Sequence, residues 1–327
     1  MAGHRTILFP MKRALICGVS GQDGSYLARL LLEKGYEVFG GSRDAQSGSF
    51  KNLETLGIKS SVRLLSINIT DFRSTLQTIQ RVKPDEIYNL SGQTSVGLSF
   101  EQPVETLESI VMGNLNLIEA IRFVALPIKL YNAGSSESFG DTLGIAADEN
   151  TPFRPRSPYA VAKSTAFWQL ANYREAYHLF ACTGILFNHE SPLRKENFVT
   201  KKIISTACRI YKGSPEKLYL GNTDIYRDWG WAPEYVTAMW LMMQQEKAED
   251  YVIATGKTHS LNELINITFE KLQLNPADHV LTDPALFRLT DLHGGMANPA
   301  KAAKQLGWKA TVSFEEVIER MIEAELG

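Results

Sequence analysis

Two rhythms of apolar and polar positions alternate along the first half of the chain. Short, almost wholly apolar runs are followed by longer stretches in which apolar residues recur every three or four positions. The first rhythm predicts a strand buried on both faces, the second an amphipathic helix. Residues 13–18 predict a short buried strand, and 26–34 a helix with Gly35 as its stop signal. Further strands are predicted at 37–42, 62–68, 86–90, 129–135 and 181–188, the last interrupted by Gly184. Ser157 and Pro158 supply an N-cap and a first-turn proline for a long helix reaching about residue 177. Strands alternating with helices predict an α/β fold built on a doubly wound parallel sheet.

From His189 onward the pattern is more mixed and its elements shorter. A helix at 235–245 and a strand at 251–255 are predicted to return to the first lobe. The expected division is 11–187 plus about 225–257 for a dinucleotide-binding domain. A smaller, mixed α/β substrate-binding domain takes about 188–224 plus 258–327. The polar, glycine- and serine-rich stretch at 44–52 reads as a loop. No internal repeat or low-complexity tract is present.

Three glycines stand between the first strand and the first helix, where a strand–loop–helix phosphate site needs them. Gly18 allows the tight turn, Gly21 lets the backbone approach a pyrophosphate, and Gly24 lets helix and strand pack closely. Their GxxGxxG spacing is the variant found in short-chain dehydrogenases. Arg43 follows the second strand, where an NAD site usually carries a carboxylate. A guanidinium there favours NADP through its 2′-phosphate, although Asp44 comes next. Asn68 and Ile69 end the third predicted strand and would border the adenine.

The chemistry is written in Tyr159 and Lys163, four positions apart and so on one face of the long helix. A neighbouring ammonium is expected to stabilise the phenolate and make Tyr159 a base at neutral pH. Ser135, Ser136 and Glu137 follow a predicted strand, at the carboxyl end where open α/β sheets bind ligands. Tyr159 would take a hydroxyl proton and Ser135 would hydrogen-bond the reacting oxygen. Ser136 would assist a departing hydroxyl. Lys163 would also hold the nicotinamide ribose. Glu137 would abstract a proton made acidic by an adjacent ketone, a step that simple alcohol oxidation does not need.

Nearly the whole chain from Lys12 resembles the extended short-chain dehydrogenase/reductase superfamily, and within it the GDP-mannose 4,6-dehydratase family. The resemblance is carried by Gly18-Val19-Ser20-Gly21-Gln22-Asp23-Gly24-Ser25-Tyr26 and Glu86-Ile87-Tyr88-Asn89-Leu90. Arg156-Ser157-Pro158-Tyr159, Leu186-Phe187-Asn188-His189-Glu190-Ser191-Pro192, Asn197-Phe198-Val199-Thr200 and Arg227-Asp228-Trp229-Gly230 extend it. It implies a Rossmann-type fold and catalytic roles for Ser135, Glu137, Tyr159 and Lys163, with Ser136 assisting. It also implies NADP held by Gly18, Gly21, Gln22, Asp23, Gly24, Arg43, Asn68, Ile69, Leu90, Tyr159 and Lys163. A GDP-sugar would meet Asn188, Glu190, Lys202, Arg227 and Arg288. Lys201 and Lys202 point different ways on a helix, so one of the two reaches the ligand. His189 is expected to orient its neighbours rather than to catalyse. The implied reaction is redox-neutral: oxidation at C4, loss of water across C5 and C6, and reduction at C6. Superfamily relatives pair through helices at about 104–123 and 157–177, so a homodimer or homotetramer is implied.

The chain departs from the family at Thr94-Ser95-Val96-Gly97 and Arg288-Leu289-Thr290-Asp291. Those changes leave another GDP-sugar, such as a GDP-heptose, open as substrate. A reductase of GDP-4-keto-6-deoxy-mannose, a 4-epimerase and a non-catalytic NADP sensor are the competing readings. Glu137 argues against the epimerase, and the intact catalytic set against the sensor.

Charge narrows the partners. With 34 basic and 36 acidic residues the net charge is −2, and no basic stripe interleaved with aromatics suggests nucleic acid. Cys17, Cys182 and Cys208 fall in apolar stretches and read as reduced core residues of a cytoplasmic protein. The six histidines lack metal-ligand spacing, so no metal is expected. No run of about 18 apolar residues suggests a membrane span. The first ten residues read as an extension or an alternative start, with Met11 opening the core pattern.

Overall fold

The computed structural model describes residues 11–287 and 289–327; residues 1–10 and Arg288 lie outside the described residues. Its strands are β1 (Arg13–Cys17), β2 (Glu37–Ser42), β3 (Arg63–Ser66), β4 (Glu86–Asn89), β5 (Lys129–Ala133), β6 (Ala181–Leu186) and β7 (Asn188–Glu190). They continue with β8 (Leu218–Leu220), β9 (Tyr226–Arg227), β10 (Trp229–Trp231), β11 (Tyr251–Ile253), β12 (His259–Ser260) and β13 (Val280–Thr282). The α-helices begin with α1 (Gln22–Glu33), α2 (Lys51–Thr55), α3 (Phe72–Val82), α4 (Val96–Glu101), α5 (Pro103–Leu107) and α6 (Gly113–Val124). After them come α7 (Pro158–Tyr177), α8 (Val199–Tyr211), α9 (Ala232–Met243), α10 (Leu261–Lys271) and α11 (Phe314–Leu326).

Seven parallel strands form one sheet in the order β11-β6-β5-β4-β1-β2-β3. The order reverses between β1 and β4, which opens a crevice above their carboxyl ends. Strand alternation explains the two layers. Ala14 and Ile16 of β1 face the α1 and α9 side, with Leu27, Leu31, Val236 and Met239. Leu15 and Cys17 face the other side, with Ile79 of α3, Leu117 of α6 and Leu170 of α7. A strand buried on both faces must read as continuously apolar, as 13–18 does. At the amino end of β4 the buried Glu86 carboxylate accepts from Tyr88 (2.7 Å) and Tyr36 (3.1 Å) and pairs with Lys12 (3.0 Å). This charge lies at the opposite end of the strand from the crevice.

A second apolar cluster joins Ile203 and Ala207 of α8, Leu264 and Phe269 of α10, and Val317 and Met321 of α11. Trp229 belongs to it and stacks on Phe314 at 5.5 Å. So the chain re-enters the sheet's layers at Ala232, later than the 225 expected from sequence. β9 and β10 stay outside, paired with β12 and β7. In the other direction, Ala302, Leu306 and Trp308 pack into the α1–α9 layer, although 258–327 was expected wholly in the second lobe. Trp308 Nε1 donates to the Glu234 carbonyl at 2.9 Å, which anchors it there.

Most element boundaries differ from expectation by a few residues. The first helix begins at Gln22 rather than 26, because Gly24 and Ser25 are already in its first turn. The strand expected at 181–188 stops at Leu186. Beyond it, Asn188–Glu190 leaves the sheet and pairs with Trp229–Trp231. The strand expected to reach Ser135 stops at Ala133, and Ser135 caps a short 3₁₀ turn instead. All three cysteines are buried and free. Among the described residues no helix is long and apolar enough to cross a membrane.

Candidate active site

The crevice at the β1–β4 switch runs into a cavity of about 390 Å³ that continues between the sheet and the second cluster. Ser135, Ser136 and Glu137 reach it from the end of β5, and Tyr159 and Lys163 from the first turns of α7. Local chemistry sets both positions. The Ser135 hydroxyl accepts from the Glu137 amide at 3.3 Å, which turns the chain as β5 ends. The Ser157 hydroxyl accepts from the Ala160 amide at 3.1 Å, with Pro158 at the first helical position.

Tyr159 and Lys163 are 8 % and 7 % exposed. Burial pushes the Tyr159 phenol up to about 12, and the Ser135 hydroxyl beside it opposes the rise. Burial pulls the Lys163 ammonium down to about 8, against the attraction of Asp23. Lys163 Nζ donates to the Ala133 carbonyl at 2.7 Å and stands 5.7 Å from the centre of the Tyr159 ring. Desolvation dominates both groups, in opposite directions.

The glycine loop is built for an anion. Gly21 caps α1 and has no side chain to occupy the first-turn amides. A side chain at Gly18 would press to 2.8 Å from the Leu90 carbonyl, across the switch point, and Gly18 has a φ of +89°. One at Gly24 would run into the Gly18 carbonyl. These close approaches fit a dinucleotide laid over the helix start, with Asp23 and Leu90 on the cavity wall. The Gln22 side chain is spent inside the protein. It donates to the His189 carbonyl at 3.2 Å and accepts from Ser191 Oγ at 2.8 Å.

Arg43 is exposed just past the end of β2. The Asp44 carboxylate beside it is turned into its own loop, accepting from the amides of Gln46 (2.8 Å) and Ser47 (3.0 Å) and from the Ser47 hydroxyl. Asn68 and Ile69 do not line the cavity. The Asn68 side chain caps Thr70, and Ile69 is buried, its carbonyl accepting from Asn116 at 2.8 Å.

Of the residues expected to meet the nucleotide sugar, Asn188, Glu190, Lys202 and Arg227 line the same cavity, while Arg288 lies outside the described residues. Lys202 Nζ donates to the Tyr219 carbonyl at 2.6 Å, whereas Lys201 is buried against Glu325 and the Pro192 carbonyl. Arg227 Nη1 donates to the carbonyls of Tyr226 (2.8 Å) and Leu292 (3.0 Å), and its Nη2 is 3.8 Å from Asp291. The next residue fixes that loop. The buried Asp228 carboxylate accepts from the amides of Thr255 (3.0 Å) and Gly256 (2.7 Å).

Arg194, one of the cations the sequence offers for a diphosphate, and Thr200 also lie on the cavity wall. Arg194 pairs with Glu190 at 3.2 Å and lies 3.6 Å from the centre of the Phe198 ring. Thr200, in the first turn of α8, is 2 % exposed, and its hydroxyl has no hydrogen-bond partner among the described residues. The cap of that helix, Phe198, offers no side-chain acceptor. A second helix start without a side-chain cap thus lies on the cavity wall. The signal for it was Asn197-Phe198-Val199-Thr200, a motif noted in the sequence without an assigned function.

Comparison with known proteins agrees with this geometry. A family model described as GDP-mannose 4,6 dehydratase matches residues 15–321. GDP-mannose 4,6 dehydratase 1 of Arabidopsis thaliana is 45% identical, covering 99% of this chain and 92% of that protein. The GDP-mannose 4,6 dehydratase of Homo sapiens is 42% identical, covering 97% of this chain and 92% of that protein. Among solved structures, the Thermus thermophilus UDP-glucose 4-epimerase complex with NAD superposes with a TM-score of 0.84 at 26% identity, covering 96% of this chain and 99% of that one. The dTDP-glucose 4,6-dehydratase of Bacillus anthracis, in complex with NAD, gives 0.83 at 19% identity over 96% of each chain and shares the fold. With a parallel sheet that reverses at its glycine loop, Tyr159 and Lys163 on one wall of the cavity, and relatives matched over nearly their full length, the chain belongs to the GDP-mannose 4,6-dehydratase family.

Proposed function

We propose that this protein is a hydro-lyase that converts GDP-mannose to GDP-4-keto-6-deoxy-mannose with NADP recycled in the site. One observation carries the reading. Glu137, a base that oxidation alone would not need, shares a cavity wall with Ser135, Tyr159 and Lys163. A bound oxidised nicotinamide would accept hydride from C4 of the hexose, return it to C6 after water is lost, and add positive charge beside Tyr159. Tyr159 takes the C4 hydroxyl proton, and Ser135 hydrogen-bonds that oxygen as it becomes a carbonyl. Lys163 holds the ribose next to the nicotinamide. Glu137 takes the C5 proton acidified by the new ketone, and Ser136 assists the hydroxyl leaving C6. The GDP diphosphate lies toward the start of α8, with Lys202 and Arg227 supplying cations and Asn188 and Glu190 contacting the ligand.

Incubation with GDP-mannose and catalytic NADP should remove one water from the sugar nucleotide without net cofactor reduction. Mass spectrometry checks this. Stoichiometric consumption of NADPH with a 4-keto-6-deoxy sugar would mark a reductase instead. Failure with a panel of GDP-sugars would sink the reading.

NADP over NAD rests on Arg43, which is exposed at the end of β2, and on Asp44, whose carboxylate is committed to its own turn. Arg43→Ala is expected to weaken NADP binding by roughly ten- to a hundredfold, the value of a hydrogen bond to a charged group. NAD binding should barely change, and titration calorimetry with both dinucleotides separates the two.

A homodimer or homotetramer is proposed from one face of the helices flanking the site. Val104, Met112 and Val161 are exposed there, and Trp168 on α7 is 61 % exposed. Trp168→Lys is expected to shift the protein toward monomer in analytical ultracentrifugation. An unchanged sedimentation coefficient would place the interface elsewhere.

A further inference from the structure

A buried histidine joins the two sides of the cavity. His189 Nδ1 lies 2.7 Å from the Phe187 carbonyl oxygen, and Nε2 lies 2.9 Å from Asp23 Oδ2. A carbonyl oxygen only accepts, so Nδ1 carries a hydrogen. An ionised carboxylate also only accepts. A neutral imidazole protonated at Nδ1 would therefore turn a lone pair toward Asp23 across 2.9 Å. The contact is satisfied only when the pair holds one further proton. The ring is 7 % exposed and stacks on Tyr235 at 4.5 Å, so it has little room to turn away.

We infer that His189 and Asp23 form a proton-holding latch. It ties the first turn of α1 to β7 and positions the dinucleotide's diphosphate against the glycine loop. The surrounding bonds are those of a latch. Gln22 Nε2 reaches the His189 carbonyl, and Ser191 Oγ reaches Gln22 Oε1. Three side-chain bonds thus join the α1 start to residues 189–191, which lead into the nucleotide-sugar wall. The other charged or titratable groups facing the pair are Arg194 and Glu190 after and within β7, Tyr235 of α9, Tyr131 of β5, and Tyr159 and Lys163 of α7. Burial opposes the imidazolium, but Asp23 outweighs it and holds His189 above its usual range. Burial likewise opposes the Asp23 carboxylate, and His189 outweighs that and keeps it below its own. Losing the proton leaves the Asp23 carboxylate without its imidazolium partner at a helix start built for phosphate. Dinucleotide affinity should then fall as pH rises through the pair's titration, by about tenfold per pH unit.

The inference uses the dinucleotide reading only in its binding arm, so the first measurement is made without cofactor. In full-length protein labelled with ¹⁵N-histidine, His189 should keep both ring nitrogens protonated to higher pH than a free imidazole does. In Asp23→Asn the side-chain amide can donate to Nε2, so the same ring should become the neutral Nδ1–H form. If His189 of the wild-type protein loses its second ring proton at no higher pH than a free imidazole, the latch is wrong, whether or not the variant folds. In the second arm, the dissociation constant of NADP should climb with pH in the wild type and be flat for Asp23→Asn over the same range. An identical climb in both would overturn the positioning role. Absence of NADP binding at every pH, with a doubly protonated His189, would count against the cofactor reading and leave the proton assignment standing.

Discussion

Tyr159→Phe is expected to lower kcat by roughly 10²–10⁴, the usual contribution of a positioned acid–base group, with KM for the sugar nucleotide little changed. The phenyl ring keeps the packing of a residue that is 8 % exposed, so the loss reports the hydroxyl and not the fold. Its pH signature separates it from a general weakening of the site. Burial sets Tyr159 at about 12 and Lys163 at about 8, and the two groups share one wall. Removing one proton from the fully protonated pair gives either a neutral lysine beside a phenol or an ammonium beside a phenolate. These two forms carry the same number of protons, so they titrate together as one macroscopic step. Only the second can take the C4 hydroxyl proton. The positive nicotinamide and the substrate oxygen favour it. The wild-type rate should therefore rise as pH approaches about 8, up to tenfold per unit, and then level off. In Tyr159→Phe the proton lost from Lys163 uncovers no base, and that limb should vanish. A variant that kept the rising limb at reduced rate would move the base elsewhere.

The parts of this site legible in sequence were those fixed by local spacing. A spacing of four positions places Tyr159 and Lys163 together on any helix, and Ser157-Pro158 marks where that helix begins. The buried parallel strands were legible because both of their faces meet apolar layers. Contacts between distant segments were not. His189 and Asp23 are 166 positions apart, and nothing near either one announces the other. The hand-over from β6 to β7 depends on a partner at Trp229–Trp231, so 181–188 reads as one strand broken only at Gly184. In the second lobe β9 and β12 have two residues each, and β8, β10 and β13 three, too few to show a period. The titration of Tyr159 and Lys163 escaped for the same reason. Spacing reveals a neighbouring charge, but desolvation depends on everything that closes around the pair.

Glu137→Gln is expected to divide the reaction at its middle. Gln keeps the size and hydrogen-bonding shape of the side chain but cannot take a proton. The side chain stands in the short turn after β5, where the Ser135 hydroxyl accepts its backbone amide whatever the side chain is. In the proposed mechanism oxidation at C4 uses Tyr159, Lys163 and Ser135, all of which remain. The variant should therefore form a 4-keto nucleotide sugar, lighter than the substrate by two hydrogens, in no more than one equivalent per site. Without a base at C5 the water is not lost, and formation of the 6-deoxy product should fall by roughly 10²–10⁴. Heavy water makes the test sharper. The wild-type product should carry deuterium from solvent at C5, because the proton removed there exchanges before it is returned. Quenched single turnovers of Glu137→Gln should show the 4-ketone without that label. If the variant dehydrates at the wild-type rate, proton abstraction belongs to another residue on the cavity wall. If it forms no ketone at all, Glu137 serves the oxidation step too, and the two halves of the chemistry do not separate at this carboxylate.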